Sequence, residues 1–356
     1  MTIRLVLVMS LALAAIFVAQ EITMDGPLYP DVWGFWTFGR YALTQPPATI
    51  YDNAALHAFQ TGLGIPEENG FYPYPYPPWF LLAVAPLGWL PYSAGALVWR
   101  VTTFAALVAA VGAWRWRWDR TVLLAVAPAC ALSFVVGQNG FLTAALMLGG
   151  LRLLPVRPVL AGVLLAAAAY KPQLALLVPV FLLFGSHWRA IIGVCLGAAM
   201  LTLGSGLLFG WAVWPAWLDA MQAQAVALSA GRGPKLDQMP TITAAVQLLG
   251  GSAGLARVAQ GVAAGGALVA LWRARRGTEI TVLPLATFLA TPYAFAHDLP
   301  VVTAAALVAM ARRSEIPAPA LLVCVLAPCL QSLPFGAMAL LPLFAWLLWT
   351  AAIRHR

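Results

Sequence analysis

LLPVRPVLAGVLLAAAAYKPQLALLVPVFLLFGSHWRAIIGVCLGAAMLTLGSGLLF, residues 153–209, is the part of the sequence that decides the fold class. Three consecutive apolar runs begin within it, at 158–170, 172–185 and 189–211. Apolar runs close to the length of a bilayer crossing, separated by brief polar breaks, are typical of successive transmembrane helices. The stretch therefore predicts that the chain crosses a membrane repeatedly.

The rest of the chain has the same character. Of its 356 residues, 62% are hydrophobic and only 9% are charged, which is too little charge to cover a soluble domain of this length. Further apolar runs lie at 3–20, 93–113, 121–136, 140–154, 253–272, 279–292, 299–311, 316–331 and 334–352. Residues 78–91 fit either a re-entrant or interfacial helix or one more span. We predict an all-α, polytopic integral membrane protein, a single domain over residues 1–356 with about 10–13 transmembrane helices.

The N-terminal run at 3–20 has an early Arg4 and an Ala-rich end, which a signal peptide also has. Because a polytopic chain follows, we expect an uncleaved first helix.

The net charge of +8 does not indicate nucleic-acid binding. The arginines stand in short clusters between apolar runs, as at 115–120 and 273–276, and such clusters mark cytoplasmic loops. Placing these clusters inside puts both termini in the cytoplasm. The four cysteines lie within apolar runs and lack metal-ligand spacing, so we interpret them as small core residues. We expect no metal site and no cofactor.

The same assignment gathers the other polar groups on the outer side. The outer segments are a long first loop at about 21–77, a second loop at about 211–240, and the turns GQNG (137–140), AYKPQ (169–173), TPYAFAHDLP (291–300) and LQSLP (330–334). The rule that places arginine clusters in the cytoplasm takes no account of the other polar residues. That these residues nevertheless fall on the same side predicts one polar site at the extracytoplasmic face.

Asp31 is the acidic residue of the first loop with the most suggestive context. It precedes VWGFWTFGRYAL, which reads as an amphipathic helix whose aromatic side chains are available to lie on the membrane face. Asp31 is either a catalytic carboxylate held at the lipid interface or simply the N-cap of that helix.

Lys171 is one of two lysines and interrupts an apolar stretch. A cation in a membrane segment is costly and indicates function, with an anionic phosphate as the expected partner. The alternative is a lysine that extends to the lipid headgroups.

His297 and Asp298 follow Thr291-Pro292 at another outer turn and could bind a phosphate, a sugar hydroxyl or, more weakly, a metal. Otherwise they end one helix and cap the next.

Three further polar segments have two interpretations each. Gln138 and Asn139 offer amide donors, or form a plain turn. Tyr76 belongs to YPYPYPPWF, which is either a wall of a sugar or lipid site or a stiff linker into the membrane. Arg232 and Lys235, in the second loop, fit a solvated basic loop better than a phosphate site.

These motifs together resemble glycosyltransferase family 87, membrane proteins of the GT-C superfamily similar to polyprenol-phosphate-mannose-dependent mannosyltransferases. The resemblance rests on DVWGFWTFGRYAL (31–43), IYD (50–52), FYPYPYPPWFLLAVAPLGWLP (71–91), GQNG, AYKPQLALL (169–177) and TPYAFAHDLPVV (291–302). The motifs occur in order along almost the whole chain, although the part after Pro300 matches only as generic helices.

The resemblance implies a polyprenyl-phosphate sugar donor, with mannose the expected sugar, and a lipid or glycan acceptor, used at the outer face of the inner membrane. It implies inversion with Asp31 as general base, Asp25 being the competing assignment. We expect the same site to contain the substrate-binding residues Lys171, His297, Asp298, Gln138, Asn139, Tyr76 and Asp52. The alternative from another class is a transporter or flippase of a polar lipid or small solute, which would place polar groups near the midplane of two inverted halves. No repeat is visible in the sequence.

Overall fold

The computed structural model describes residues 31–64, 71–112, 118–229, 236, 239–274 and 279–311, together with 341, 344–346 and 348–349 near the C-terminus. Within these ranges the chain is helical and contains no β-strand, which confirms the all-α prediction. The predicted span at 3–20, the alternative base Asp25, Arg232, Lys235 and almost all of the last two predicted spans lie outside the described residues.

Fourteen α-helices of at least seven residues are described. They are α1 (Val32–Thr44), α2 (Asn53–Gly62), α3 (Tyr92–Gly112), α4 (Trp118–Val126), α5 (Pro128–Val136), α6 (Gly140–Leu153), α7 (Pro158–Ala167), α8 (Val178–Phe184), α9 (Trp188–Phe209), α10 (Val213–Ser229), α11 (Ile242–Leu248), α12 (Ala253–Arg273), α13 (Glu279–Ala290) and α14 (Pro300–Ala311). Single helical turns lie at Pro47–Tyr51, Pro78–Phe80, Leu81–Val84, Ala85–Trp89, Ala168–Tyr170, Pro172–Ala175 and Ala296–Asp298.

Three of the described helices, α3, α9 and α12, are long and apolar enough to cross a membrane. They have 21, 22 and 21 residues and coincide with the predicted spans at 93–113, 189–211 and 253–272. Several shorter apolar helical segments stand between them, including Pro78–Trp89, which is the segment whose depth the sequence left open. The molecule is a polytopic membrane protein.

Two of the breaks between helices stand directly before a proline. Ala127 is extended, with ψ at 136°, and splits the predicted span 121–136 into α4 and α5. Lys171, with φ at −112° and ψ at 84°, likewise separates α7 and its terminal turn from Pro172–Ala175. The proline ring clashes with helical backbone in the residue before it, so both breaks stand one residue before a proline. This is what leaves Lys171 on irregular backbone.

Glycine brings α7 and α9 into direct backbone contact. A Cβ placed on Gly162 would stand 2.0 Å from the carbonyl oxygen of Ala190, and one on Gly193 would stand 2.1 Å from that of Val159. Small residues that let two backbones touch are typical of helix packing in membranes, where no hydrophobic force drives helices together. This contact fixes the position of the chain that leads into Lys171.

The aromatic helix α1 packs against protein, which corrects the prediction that its aromatic face lies on the membrane. Trp33, Phe35 and Phe38 are buried among the tyrosines of 71–76 and the chain that follows them. The far end of α1 meets the backbone of residues 84–88, where a Cβ on Gly39 would stand 2.2 Å from the carbonyl oxygen of Val84 and 3.0 Å from the backbone nitrogen of Gly88. An aromatic run in a sequence looks the same whether lipid or protein covers it.

The predicted second outer loop at 211–240 is largely helical, since α10 occupies most of it. This helix packs on the turn Pro47–Tyr51 of the first loop. Trp214 and Trp217 of α10 also cluster with Trp79, with ring centroids 5.6 to 6.2 Å apart. The two segments that the sequence predicts as outer loops therefore contact each other.

Candidate active site

The site is built around the turn Gly137–Gly140, which joins α5 to α6. Gly137 ends α5 in the left-handed region, with φ at +72°, as helix-terminating glycines often do. Two neighbours on α3 hold this end. The indole of Trp99 donates to the Gly137 carbonyl at 3.0 Å, and Arg100 donates to the carbonyls of Phe134 and Val135 at 2.7 and 2.9 Å. A cation on the last carbonyls of a helix satisfies groups that the helix leaves unpaired.

This turn lies directly against the start of α1. A Cβ on Gly137 would stand 2.5 Å from the Cβ of Val32, so only glycine allows the approach. The next residue, Gln138, donates from Nε2 to Oδ2 of Asp31 at 2.6 Å. Asp31 precedes α1 but makes no side-chain cap bond to it, so the structure does not support the cap-only interpretation of this residue.

Asn139 extends the site toward Tyr76. The Asn139 side chain is fully buried and donates from Nδ2 to the Tyr76 hydroxyl at 3.0 Å. Its Oδ1 has no hydrogen-bond partner among the residues that the structure describes. Burial raises the pKa of Tyr76 far above its ordinary value, and the charges of Asp298 and Asp31 act in the same direction. The Tyr76 side chain is therefore a neutral phenol.

Lys171 reaches the same region from α7. The Tyr170 hydroxyl donates to the Asn139 carbonyl at 2.9 Å and lies 2.6 Å from Oγ1 of Thr143, which fixes the turn just before Lys171. The Lys171 ammonium then forms an ion pair with Asp298. Lys171 does not extend to the lipid headgroups, because its side chain is only 6% exposed.

Asp298 and His297 lie on the turn between α13 and α14. Asp298 accepts a second hydrogen bond from the backbone of Phe295 at 3.1 Å, and the imidazole of His297 stacks on the Phe295 ring with centroids 5.1 Å apart. Burial lowers the pKa of His297 to about 4, against the attraction of Asp298, so the ring is neutral near pH 7. A Cβ on Gly140 would stand 2.0 Å from the His297 carbonyl, so this turn touches the first one.

The structure thus connects seven of the residues that the sequence singled out. Contacts run from Asp31 to Gln138 and from Tyr76 to Asn139, Lys171 pairs with Asp298, and the turn carrying His297 contacts Gly140. Asp52 is held differently. It is exposed and caps α2 by accepting from the backbone of Ala54 and Ala55 at 2.9 and 3.3 Å. Its role in substrate binding stays a prediction.

Sequence reasoning missed the residues that support the site. Arg100 lies inside the predicted span 93–113, and a charge within a span is by itself a signal of function. Trp99 and Tyr170 are aromatic residues in apolar surroundings, and nothing local in the sequence distinguishes them from packing residues. Among the described residues, no three His, Cys, Asp or Glu side chains form a group that could hold a metal ion.

Comparison with known families gives one match. The model described as Glycosyltransferase family 87 matches residues 74–295, which is more than half of the chain. The matched range includes Tyr76, the turn at 137–140 and Lys171, whereas Asp31, His297 and Asp298 lie outside it. Comparisons with curated proteins and with solved structures gave no match.

Proposed function

The chain belongs to glycosyltransferase family 87 and is a membrane glycosyltransferase; from this premise we propose that it transfers mannose from a polyprenyl-phosphate donor to a lipid or glycan acceptor. In this proposal the reaction takes place at the extracytoplasmic face of the inner membrane and inverts the anomeric centre. Asp31 is the general base.

The observation that carries the proposal is the arrangement of charges around Tyr76. The Asp31 carboxylate accepts from Gln138, and Lys171 forms an ion pair with Asp298. The turn that carries Asp298 and His297 contacts Gly140, two residues after Gln138. The charges of both acids act on the Tyr76 hydroxyl. An inverting displacement on a sugar phosphate requires a base for the acceptor hydroxyl and a cation for the leaving phosphate, and Asp31 and Lys171 would supply them.

The proposed step is a single displacement. The acceptor hydroxyl oxygen attacks the anomeric carbon while its proton passes to the Asp31 carboxylate. The bond from the anomeric carbon to the phosphate oxygen breaks, and its electron pair stays on the phosphate. A β-linked mannosyl phosphate would thereby give an α-linked mannoside.

Lys171 would stabilise the leaving phosphate. An ammonium group has three N–H donors, and the contact with Asp298 uses one of them. Preorganised donors in a site that excludes water stabilise developing charge strongly. His297, neutral near pH 7, would add a hydrogen bond rather than a charge. The unmatched Oδ1 of Asn139 would accept from a hydroxyl of the bound sugar.

The test is a membrane transfer assay with labelled polyprenyl-phosphate sugars, comparing the wild type with Asp31→Asn. This change keeps the size of the side chain and removes the base, so we expect transfer to fall by about 10²–10⁴-fold. Asp219→Asn is the matched control, since Asp219 is an exposed residue of α10, and it should transfer like the wild type.

Two outcomes would contradict parts of the proposal. If Asp31→Asn keeps full activity and Asp25→Asn abolishes it, the base is misassigned while the donor and acceptor stand. If wild-type membranes transfer mannose from no polyprenyl-phosphate donor but do transfer another sugar, the proposed donor is wrong. The family match favours transfer over the transporter alternative, and we do not propose transport.

A further inference from the structure

Gln138 makes two hydrogen bonds that together fix its side chain. Nε2 donates to Oδ2 of Asp31 at 2.6 Å, a contact that joins positions 107 residues apart. Oε1 accepts from the backbone N–H of Asn139 at 3.2 Å. The opposite orientation of the amide would set its oxygen against a carboxylate oxygen and its NH₂ against an N–H, so this geometry specifies which end faces Asp31.

The backbone that carries Gln138 is held from three sides. Gly137 abuts Val32 at the start of α1, the Trp99 indole donates to the Gly137 carbonyl, and Arg100 binds the last carbonyls of α5. The base and the amide that contacts it are thus fixed to one another through the backbone as well as through the side chains.

We infer that Gln138 is a positioning residue, which holds the Asp31 carboxylate in the orientation that accepts the proton of the acceptor hydroxyl. This inference rests on the proposed role of Asp31. It differs from the expectation that Gln138 binds substrate, because the donor end of its amide is engaged by Asp31 and the acceptor end by the backbone. Misplacing a reacting group by about 1 Å can cost about 10²-fold in rate.

The experiment measures kcat and KM for a labelled polyprenyl-phosphate mannose donor across the pH range in which the purified protein stays folded. Gln138→Met keeps the length of the side chain but removes the amide group that donates to Asp31. Gln138→Glu places a second carboxylate against Asp31. Gln45→Glu makes the same change at the exposed C-cap of α1, far from Asp31 along the helix, and serves as the control for added charge.

For Gln138→Met we expect kcat to fall roughly tenfold to a hundredfold, with KM for the donor unchanged. For Gln138→Glu we expect the acid limb of the kcat/KM profile to move to higher pH by about one unit or more, since adjacent carboxylates share a proton. Gln45→Glu should leave both the rate and the profile as in the wild type.

A raised KM in Gln138→Met, with kcat and the pH profile unchanged, would overturn the inference and return Gln138 to substrate binding. Should Gln138→Glu fail to fold, Gln138→Met alone decides between these outcomes. Failure of the proposed function is recognised separately, because Asp31→Asn would then keep wild-type transfer whatever the Gln138 variants do.

Discussion

Lys171 and Asp298 form an ion pair whose side chains are 6% and 0% exposed. Removing two charges from water costs several kcal/mol each, and their attraction offsets this cost only while both are present. Replacing one of the two residues should therefore destabilise the protein more than replacing both. The pair also lies in the candidate site, so we expect stability and activity to respond differently to its removal.

The first prediction separates these two contributions. Lys171→Met or Asp298→Leu alone should destabilise the protein by about 3–5 kcal/mol, because each leaves a buried charge unpaired. The double variant should be more stable than either single variant, yet remain inactive if Lys171 serves the leaving phosphate. Unfolding in detergent and the transfer assay measure the two effects.

Lys171→Arg is the companion variant. It keeps the charge but changes its shape, so we expect it to recover part of the transfer activity that Lys171→Met loses. For the double variant of Lys171→Met and Asp298→Leu, a loss of stability equal to the sum of the two single losses would show that the two charges do not interact.

A second prediction concerns His297, whose pKa burial lowers to about 4. Between this value and the ordinary value near 6.5 the unfolded chain binds a proton that the folded protein excludes, so stability is lost as pH falls through this window. We expect a loss of roughly 1 kcal/mol between pH 7.5 and 5.5 from this residue. His297→Gln should reduce the pH dependence of the unfolding temperature; an unchanged dependence would show that the imidazole is not excluded from protonation.

At the scale of helices, glycine contacts decide how closely elements approach. The crossing of α7 and α9 depends on Gly162 and Gly193, whose missing side chains leave space for carbonyl oxygens of the opposite helix. Such contacts tolerate no Cβ, since the obstacle is backbone that cannot rotate away.

The third prediction uses two glycines of the same helix. Gly193→Ala should destabilise the protein by about 1–3 kcal/mol, because the new Cβ would stand 2.1 Å from a carbonyl oxygen. Gly204→Ala should be neutral or slightly stabilising, since the nearest atom is a Leu82 methyl carbon at 3.7 Å. Equal unfolding temperatures for the two variants would contradict the described crossing.

The helices themselves were largely predictable from the sequence. The apolar runs set α3, α9 and α12 within one or two residues, and Lys171-Pro172 predicted a break that the structure contains. The sequence did not predict the break before Pro128, because an apolar run continues across it. Nor did it predict what covers α1, because burial against protein depends on a partner segment 50 residues further along the chain.

The candidate site was predictable as a set of turns but not as a set of contacts. The placement of arginine clusters in the cytoplasm predicted that the turns at 137–140, 169–173 and 291–300 lie on one side of the membrane. These turns contact one another in the structure. The pairing of Lys171 with Asp298 was not predicted, because a lysine offers the same sequence pattern whether its partner is a carboxylate or a phosphate. Contacts at this range depend on helix packing that no local pattern encodes.

At the scale of the whole molecule, the fourth prediction concerns orientation. Gly62→Cys, exposed at the end of α2, should react with a membrane-impermeant thiol reagent from outside the cell. Val156→Cys, 71% exposed between α6 and α7, should not. The background is a variant in which all four native cysteines are replaced. Labelling of Val156→Cys alone would reverse the orientation and place the proposed reaction in the cytoplasm.

The distance along the chain between Lys171 and its partner also has a consequence for biosynthesis. Asp298 lies 127 residues after Lys171, and a ribosome makes the chain from the N-terminus. Lys171 and the apolar runs on either side of it are therefore made well before the carboxylate that neutralises Lys171 exists. During this interval the nascent chain holds an uncompensated ammonium group, which is costly in an apolar environment. We expect products truncated before Asp298 to be substrates for proteolytic quality control rather than partly active enzymes.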